Sequence, residues 1–230
     1  MRPRAACAAG LRRGTDGALP AHPVARYLPH TMGVSRFDAA YYRRFYHGPH
    51  RAHAARDVAS LASGVCGIAE WLGVEVARVL DVGAGTGLWR TWFRRQRPGA
   101  RYRSIDVSPY ACARYGHERR DIAAWRARER FDLVVCHSVL QYLDAPAAAR
   151  AIENLGAMCR GILYLEAITA EDVPILDLAR TDTVMHLRTG AWYRRRLARH
   201  FVQIGAGLWA SRRSEILLYA LEGPEARRRR

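Results

Sequence analysis

The residues most able to do chemistry together are a glycine loop, Asp81-Val82-Gly83-Ala84-Gly85-Thr86-Gly87, and Asp106, nineteen positions beyond Gly87. Gly83 and Gly85 permit backbone geometry and a close ligand approach that a Cβ would block. Asp106 closes a predicted strand, so its carboxylate can take both hydroxyls of a ribose. The spacing is near the ~20 residues expected between such a loop and a ribose-reading acid. A plain turn with Asp106 as a strand-end cap is the competing reading. It is outweighed because strand, loop, helix, second strand and acid occur in that order. His137 follows another predicted strand, and its ordinary pKa of ~6.5 suits a general base; a histidine merely hydrogen-bonded beside a ligand fits equally well. A second polar grouping runs from Thr181 to Gly190 and holds Asp182, His186 and Arg188, with Glu166 upstream and Trp192 and Tyr193 downstream. Those groups suit a polar substrate with an apolar wall, and His186 joins His137 as a candidate for proton transfer. A structural crossover whose polar groups satisfy buried backbone is the alternative, and the two readings stand level.

These groups need elements to position them. Apolar spacing predicts a helix over Phe37 to Tyr46, broken at Gly48-Pro49, and a longer one from about Arg51 to Leu72. Tyr42 and Tyr46 could cover a pocket from the first of these, although aromatic spacing of that kind more often means helix packing. Strands are predicted at Arg78 to Val82, Tyr102 to Ile105, weakly before Asp121, at Phe131 to Cys136 and at Gly161 to Leu165. Helices are predicted at Leu88 to Arg97, from Pro109, over Pro146 to Cys159 and over Trp192 to His200. Two further strands, Phe201 to Ile204 and Ile216 to Leu221, close the chain with no helix between them. Alternation of this kind gives an α/β fold: a three-layer αβα sandwich with a mostly parallel seven-stranded Rossmann-like sheet and an antiparallel last strand. Ligands of such sheets bind at the carboxyl ends of the strands, where the topology reverses.

The run Val79-Leu80-Asp81-Val82-Gly83-Ala84-Gly85-Thr86-Gly87 resembles the first motif of class I S-adenosylmethionine-dependent methyltransferases, and the resemblance covers about residues 37–222. It implies S-adenosyl-L-methionine as cofactor and an enzyme. It assigns Asp81, Gly83, Ala84, Gly85 and Gly87 to the methionine part and Asp106 with Val107 to the ribose. Asp121 is assigned to the adenine amino group, Ile122 to the base, and His137-Ser138 to the flank of the cofactor. Tyr42, Tyr46, Glu166, Asp182, Arg188, Trp192 and Tyr193 are then the substrate-side candidates. Within the same fold a nicotinamide dinucleotide oxidoreductase competes, but its fingerprint wants glycine at position 88, which is Leu. The motifs that mark nucleobase or glutamine acceptors are missing, as is a metal-binding acid after strand four. The expectation is metal-independent, in-line transfer to a small-molecule acceptor.

Composition sets the remaining bounds. All 37 basic residues are arginine, so a lysine Schiff base or phosphate-loop lysine is excluded. The net charge of +16 is concentrated at the ends, with +4 on residues 1–31 and +3 on 224–230, leaving +9 for 32–223. An arginine-only bias of GC-rich coding type discounts that charge as evidence for nucleic acid, which stays the disfavoured partner, and a non-catalytic RNA-binding module lacks its motifs. The five cysteines include no C-x-x-C pair and read as reduced thiols in a cytoplasmic protein. Residues 1–31 read as a disordered or non-native extension, 32–223 as one domain with an amino-terminal helical segment at 37–72, and 224–230 as an arginine-rich tail. No apolar run is long enough for a membrane span.

Overall fold

The computed structural model describes residues 36–48 and 51–219. The two terminal segments predicted to be an extension and a tail therefore lie outside the described residues. Seven strands form one sheet in the order β3-β2-β1-β4-β5-β7-β6. They are β1 (Arg78–Val82), β2 (Arg101–Asp106), β3 (Glu118–Arg119), β4 (Phe131–His137), β5 (Cys159–Glu166), β6 (Phe201–Gly205) and β7 (Leu208–Ser211). Strands β1 to β5 pair in parallel, while β7 runs antiparallel to both of its neighbours, β5 and β6. The helices are α1 (Ala39–Tyr46), α2 (Ala55–Trp71), α3 (Leu88–Gln96), α4 (Pro109–Tyr115), α5 (Ala145–Met158) and α6 (Gly190–Leu197).

Local chemistry accounts for the helix starts. Asp38, Ser108, Asp144 and Thr189 accept from backbone N–H groups in the first turns of α1, α4, α5 and α6, satisfying donors a helix leaves unpaired. The central strands are buried on both faces, and alternate residues feed two cores. Leu80, Val134, Cys136 and Leu163 pack with α5 and α6 on one face. Val79, Leu133, Val135, Ile162 and Tyr164 pack with α2 and α3 on the other. At the amino edge of the sheet the Asp132 carboxylate accepts from Ala77 N–H, Arg78 N–H and Arg160, tying β1, β4 and β5 together.

One expected element is displaced. The antiparallel last strand is Leu208–Ser211, and residues 216–219 of the predicted final strand are not in the sheet; its last two residues lie outside the described ones. The switch is made by Gly205-Ala206-Gly207, all at positive φ (128°, 49° and 81°). A Cβ at Gly207 would come within 3.0 Å of the Leu165 carbonyl oxygen, so the tight return onto β5 requires glycine there. Burial of all four residues of β7 holds the strand in place. Among the described residues no helix is long and apolar enough to cross a membrane. The four described cysteines form no disulfide, and burial pushes the Cys66 and Cys159 thiols up to about 12.

Candidate functional site

The glycine loop leaves β1 and opens α3. Gly83, Gly85 and Gly87 all lie at positive φ, at 67°, 55° and 74°, where a side chain costs roughly 1–2 kcal/mol. The loop is pinned from both sides. Gly83 N–H and Ala84 N–H donate to the Ile105 carbonyl, and Gly85 N–H donates to Asp106 Oδ2 at 2.9 Å. Ser108 N–H donates to Asp106 Oδ1 at 2.8 Å. A carboxylate offers about four lone-pair sites, so beyond its backbone donors Asp106 keeps capacity for a further donor, which is what a ribose hydroxyl supplies. Burial raises the pKa of Asp106, and the Ser108 and Gly85 N–H groups oppose the shift.

His117 is a member of this frame that the sequence did not announce. Its buried ring bridges Ser104 Oγ at 2.9 Å and the Gly85 carbonyl at 3.0 Å. Burial lowers its pKa, which favours a neutral ring that supports the loop. Asp121 accepts from Ala123 N–H through Oδ1 and leaves Oδ2 without a partner among the described residues, while Ile122 is buried beside it. That arrangement suits the adenine end. Asp81 is less exposed to a ligand than expected. It accepts from the Tyr102 hydroxyl at 2.6 Å, and burial pushes it up to about 7 despite that bond. It therefore serves the sheet rather than standing as a fixed anion.

From α1, Tyr46 reaches the glycine loop: its ring lies 3.7 Å from the Cβ position of Gly85. Tyr42 stacks on Tyr110 with ring centroids 5.5 Å apart, and Tyr41 meets Tyr142 hydroxyl to hydroxyl at 3.2 Å. The aromatic run both packs and covers the crevice. Beside it, a cavity of about 360 Å³ opens between α1 and the 178–184 segment, bordered by Arg36, Tyr41, Arg44, Phe45 and Asp182.

Register carries the second cluster to the same edge. Val82 pairs with Cys136 and His137 with Glu166, so the ends of β4 and β5 lie next to the glycine loop. Ser138, at φ 59°, is a left-handed non-glycine residue, the kind of local strain that collects at functional sites. Its hydroxyl donates to Glu166 Oε1 at 3.0 Å and its N–H to the Glu166 carbonyl. His137 Nε2 lies 3.3 Å from Glu166 Oε1, and the Tyr164 hydroxyl donates to Oε2 at 3.1 Å. Burial would raise Glu166, but His137, His53 and Ser138 outweigh it and hold the carboxyl well below its ordinary range.

His137 is not free to act as the expected base. Trp89 Nε1–H donates to its Nδ1 at 3.2 Å, so the neutral ring carries its proton on Nε2 and gives it to Glu166. Neither nitrogen keeps an open lone pair. His53, which precedes α2, packs on His137 with centroids 4.4 Å apart and has no hydrogen-bond partner among the described residues. Burial, with His137 next, lowers its pKa to about 4, so its ring is neutral near pH 7. One donor atom each from His53, His137 and Glu166 lies within 4.8 Å of the other two, a spacing that a metal ion could bridge. The tautomer argues against it: a metal-bound histidine gives its other N–H away, whereas the other nitrogen of His137 faces the Trp89 N–H. Lone histidines in polar runs carry no periodic signal, so His53 and His117 were not legible in the sequence.

For the 181–190 segment a substrate loop and a structural crossover stand level on sequence alone. Arg188 is 8% exposed and donates to the carbonyls of Leu140 and Leu143 and to the Tyr193 hydroxyl. It clamps the turn after β4 with four of its five N–H groups. Asp182 accepts from Val184 N–H and pairs with Arg36. Tyr193 is buried, and Trp192 lies under the Arg196 guanidinium at 3.7 Å. His186 donates its backbone N–H to the Gln141 carbonyl, and no hydrogen bond joins its ring to the His137 cluster. The crossover reading of this segment is the one the geometry favours.

Comparison with known proteins follows the same outline. Residues 44–212 match the family described as methyltransferase domain. No curated protein matches the chain. Among solved structures, SAM-bound CalS10, an amino pentose methyltransferase from Micromonospora echinaspora, is similar at 18% identity and a TM-score of 0.52, over 75% of this chain and 95% of that one. DesVI from Streptomyces venezuelae is similar at 15% identity and 0.51, over 67% and 91%. An O-methyltransferase family protein from Burkholderia thailandensis is similar at 15% and 0.50, over 70% and 59%. At these identities the likeness is one of fold.

Proposed function

The chain belongs to the methyltransferase-domain family, and on that premise we propose that it moves a methyl group from S-adenosylmethionine to a small-molecule acceptor. The observation that carries the cofactor assignment is the closure of the glycine loop onto Asp106 through Gly85 N–H. It sets a buried carboxylate with spare lone pairs beside a backbone cradle whose three positive-φ glycines exclude side chains. These residues fit the group. Asp106 would hold the ribose hydroxyls, Gly83 to Gly87 the methionine part, and Asp121 with Ile122 the adenine. When bound, the cofactor supplies an electrophilic methyl on a sulfonium, and catalysis then rests largely on alignment. His117 keeps the Gly85 carbonyl in place, while Tyr46 covers the loop and limits water. The small-molecule reading is supported by the cavity of about 360 Å³ beside α1, bordered by Tyr41 and Phe45. Calorimetry with S-adenosylhomocysteine and NAD in parallel tests the assignment: the first should bind and the second should not, and the reverse would overturn it.

A further inference from the structure

The groups at the ends of β4 and β5 restrict what the acceptor can be. Glu166 is anchored from behind by Ser138 Oγ, His137 Nε2 and the Tyr164 hydroxyl, yet 48% of its side chain is exposed. Three donors fix its orientation and use part of its capacity; about four lone-pair sites leave at least one spare. Beside it the ring of His53 packs on His137, with both nitrogens unpartnered among the described residues. The Arg180 guanidinium, which also acts on His53, is committed to the Arg51 carbonyl. A hydroxyl acceptor would want a cation to balance developing negative charge. The exposed face of Glu166 offers a fixed anion instead, which suits a nucleophile that carries N–H bonds and positive charge.

We propose that the acceptor is an amine, docked on the exposed face of Glu166 through an N–H bond, with the His53 ring alongside. This rests on the cofactor reading above. An amine of lysine-like basicity, with a pKa near ~10, arrives as its ammonium and loses one proton to water on the exposed side of Glu166. The freed lone pair forms the nitrogen–carbon bond, and the carbon–sulfur pair returns to sulfur. A second N–H keeps the nitrogen on Glu166 throughout. The methylated product is again a cation, which the same carboxylate tolerates.

The test uses two probes of one shape, cyclohexylamine and cyclohexanol, titrated by saturation-transfer NMR into the full chain saturated with S-adenosylhomocysteine at neutral pH. The amine should bind about tenfold more tightly, the scale of one hydrogen bond to a charged group. Glu166→Gln should abolish the difference, while Glu166→Asp, which keeps the charge, should retain most of it. Equal binding of the two probes overturns the proposal, and so does a preference that survives Glu166→Gln. A Mn²⁺ arm, read by water proton relaxation, separates a metal site: Mn²⁺ binding that displaces cyclohexylamine and vanishes in Glu166→Gln overturns it as well. If the probe preference holds but S-adenosylhomocysteine does not bind, the cofactor reading falls and the amine site stands.

Discussion

Replacing Asp106 by Asn separates a ribose-binding acid from a strand cap more cleanly than any truncation. The side chain keeps its shape, but only one of its two terminal atoms still accepts. In either orientation its NH₂ faces a backbone donor, the Gly85 N–H or the Ser108 N–H. One buried N–H is thus left unpaired, at roughly 1–3 kcal/mol. Burial already raises the pKa of Asp106, so loss of the charge returns some desolvation cost and places the net effect at the low end of that range. For a domain of this size ~1 kcal/mol is about 2–4 °C in melting temperature. Cofactor affinity should suffer more. A ribose hydroxyl loses a charged acceptor, worth roughly 1.5–3 kcal/mol, or about 10- to 150-fold in Kd for S-adenosylhomocysteine. Titration calorimetry reads the affinity and a thermal melt reads the fold. An unchanged Kd alongside a lowered melting temperature would show that Asp106 only caps its strand, and the cofactor assignment would be refuted.

Further outcomes follow from other contacts. Gly83→Ala drives a Cβ into the Val139 side chain at φ 67°, so S-adenosylhomocysteine binding should fall by at least about tenfold while circular dichroism stays native. Arg188→Ala frees two carbonyls and a buried hydroxyl and should lower the melting temperature by roughly 5–10 °C, with cofactor affinity per folded molecule unchanged; a normal melt with lost turnover would restore Arg188 to the acceptor site. His53 has a folded pKa of about 4, below its ordinary 6.5. The unfolded chain therefore binds the extra proton first, and stability should decline as pH falls from 6.5 to 4. His53→Asn should flatten that part of a melting-temperature profile, and an unaltered slope would place the acid sensitivity elsewhere.

Much of the frame was legible because its signals are local. The run Val79-Leu80-Asp81-Val82 before three glycines specifies a buried strand and its loop, and Pro109 and Pro146 each sit in the first turn of a helix. The final strand was misplaced for an equally local reason. Ile216 to Tyr219 is strongly apolar by composition, yet Leu217 and Tyr219 are 86% and 81% exposed. The modest Leu208-Trp209-Ala210-Ser211 wins the sheet position because Gly207 lets the chain turn back against Leu165. The site was half legible. Asp106 and the glycines follow one another at a characteristic spacing. His53, His117 and Trp89 meet their partners only through register and packing, across 13 to 84 positions of chain, and no short-range pattern encodes that. Arg188 stood between two readings because a charged residue in an aperiodic stretch looks available, and only its four hydrogen bonds show how far it is committed to the turn after β4.

The two ends of the strand order bear on the company the protein keeps. One margin is β3, two residues long and carrying Glu118 and Arg119 outward; the other is β6, irregular in register at Gln203 to Gly205. Neither offers a long, flat row of free N–H and C=O groups, the template on which another chain can add itself. A mostly parallel sheet of seven strands is thus finished at both rims against runaway stacking. Concentrated solutions should resist fibril growth by strand addition, and binding proteins would have to engage the helical faces.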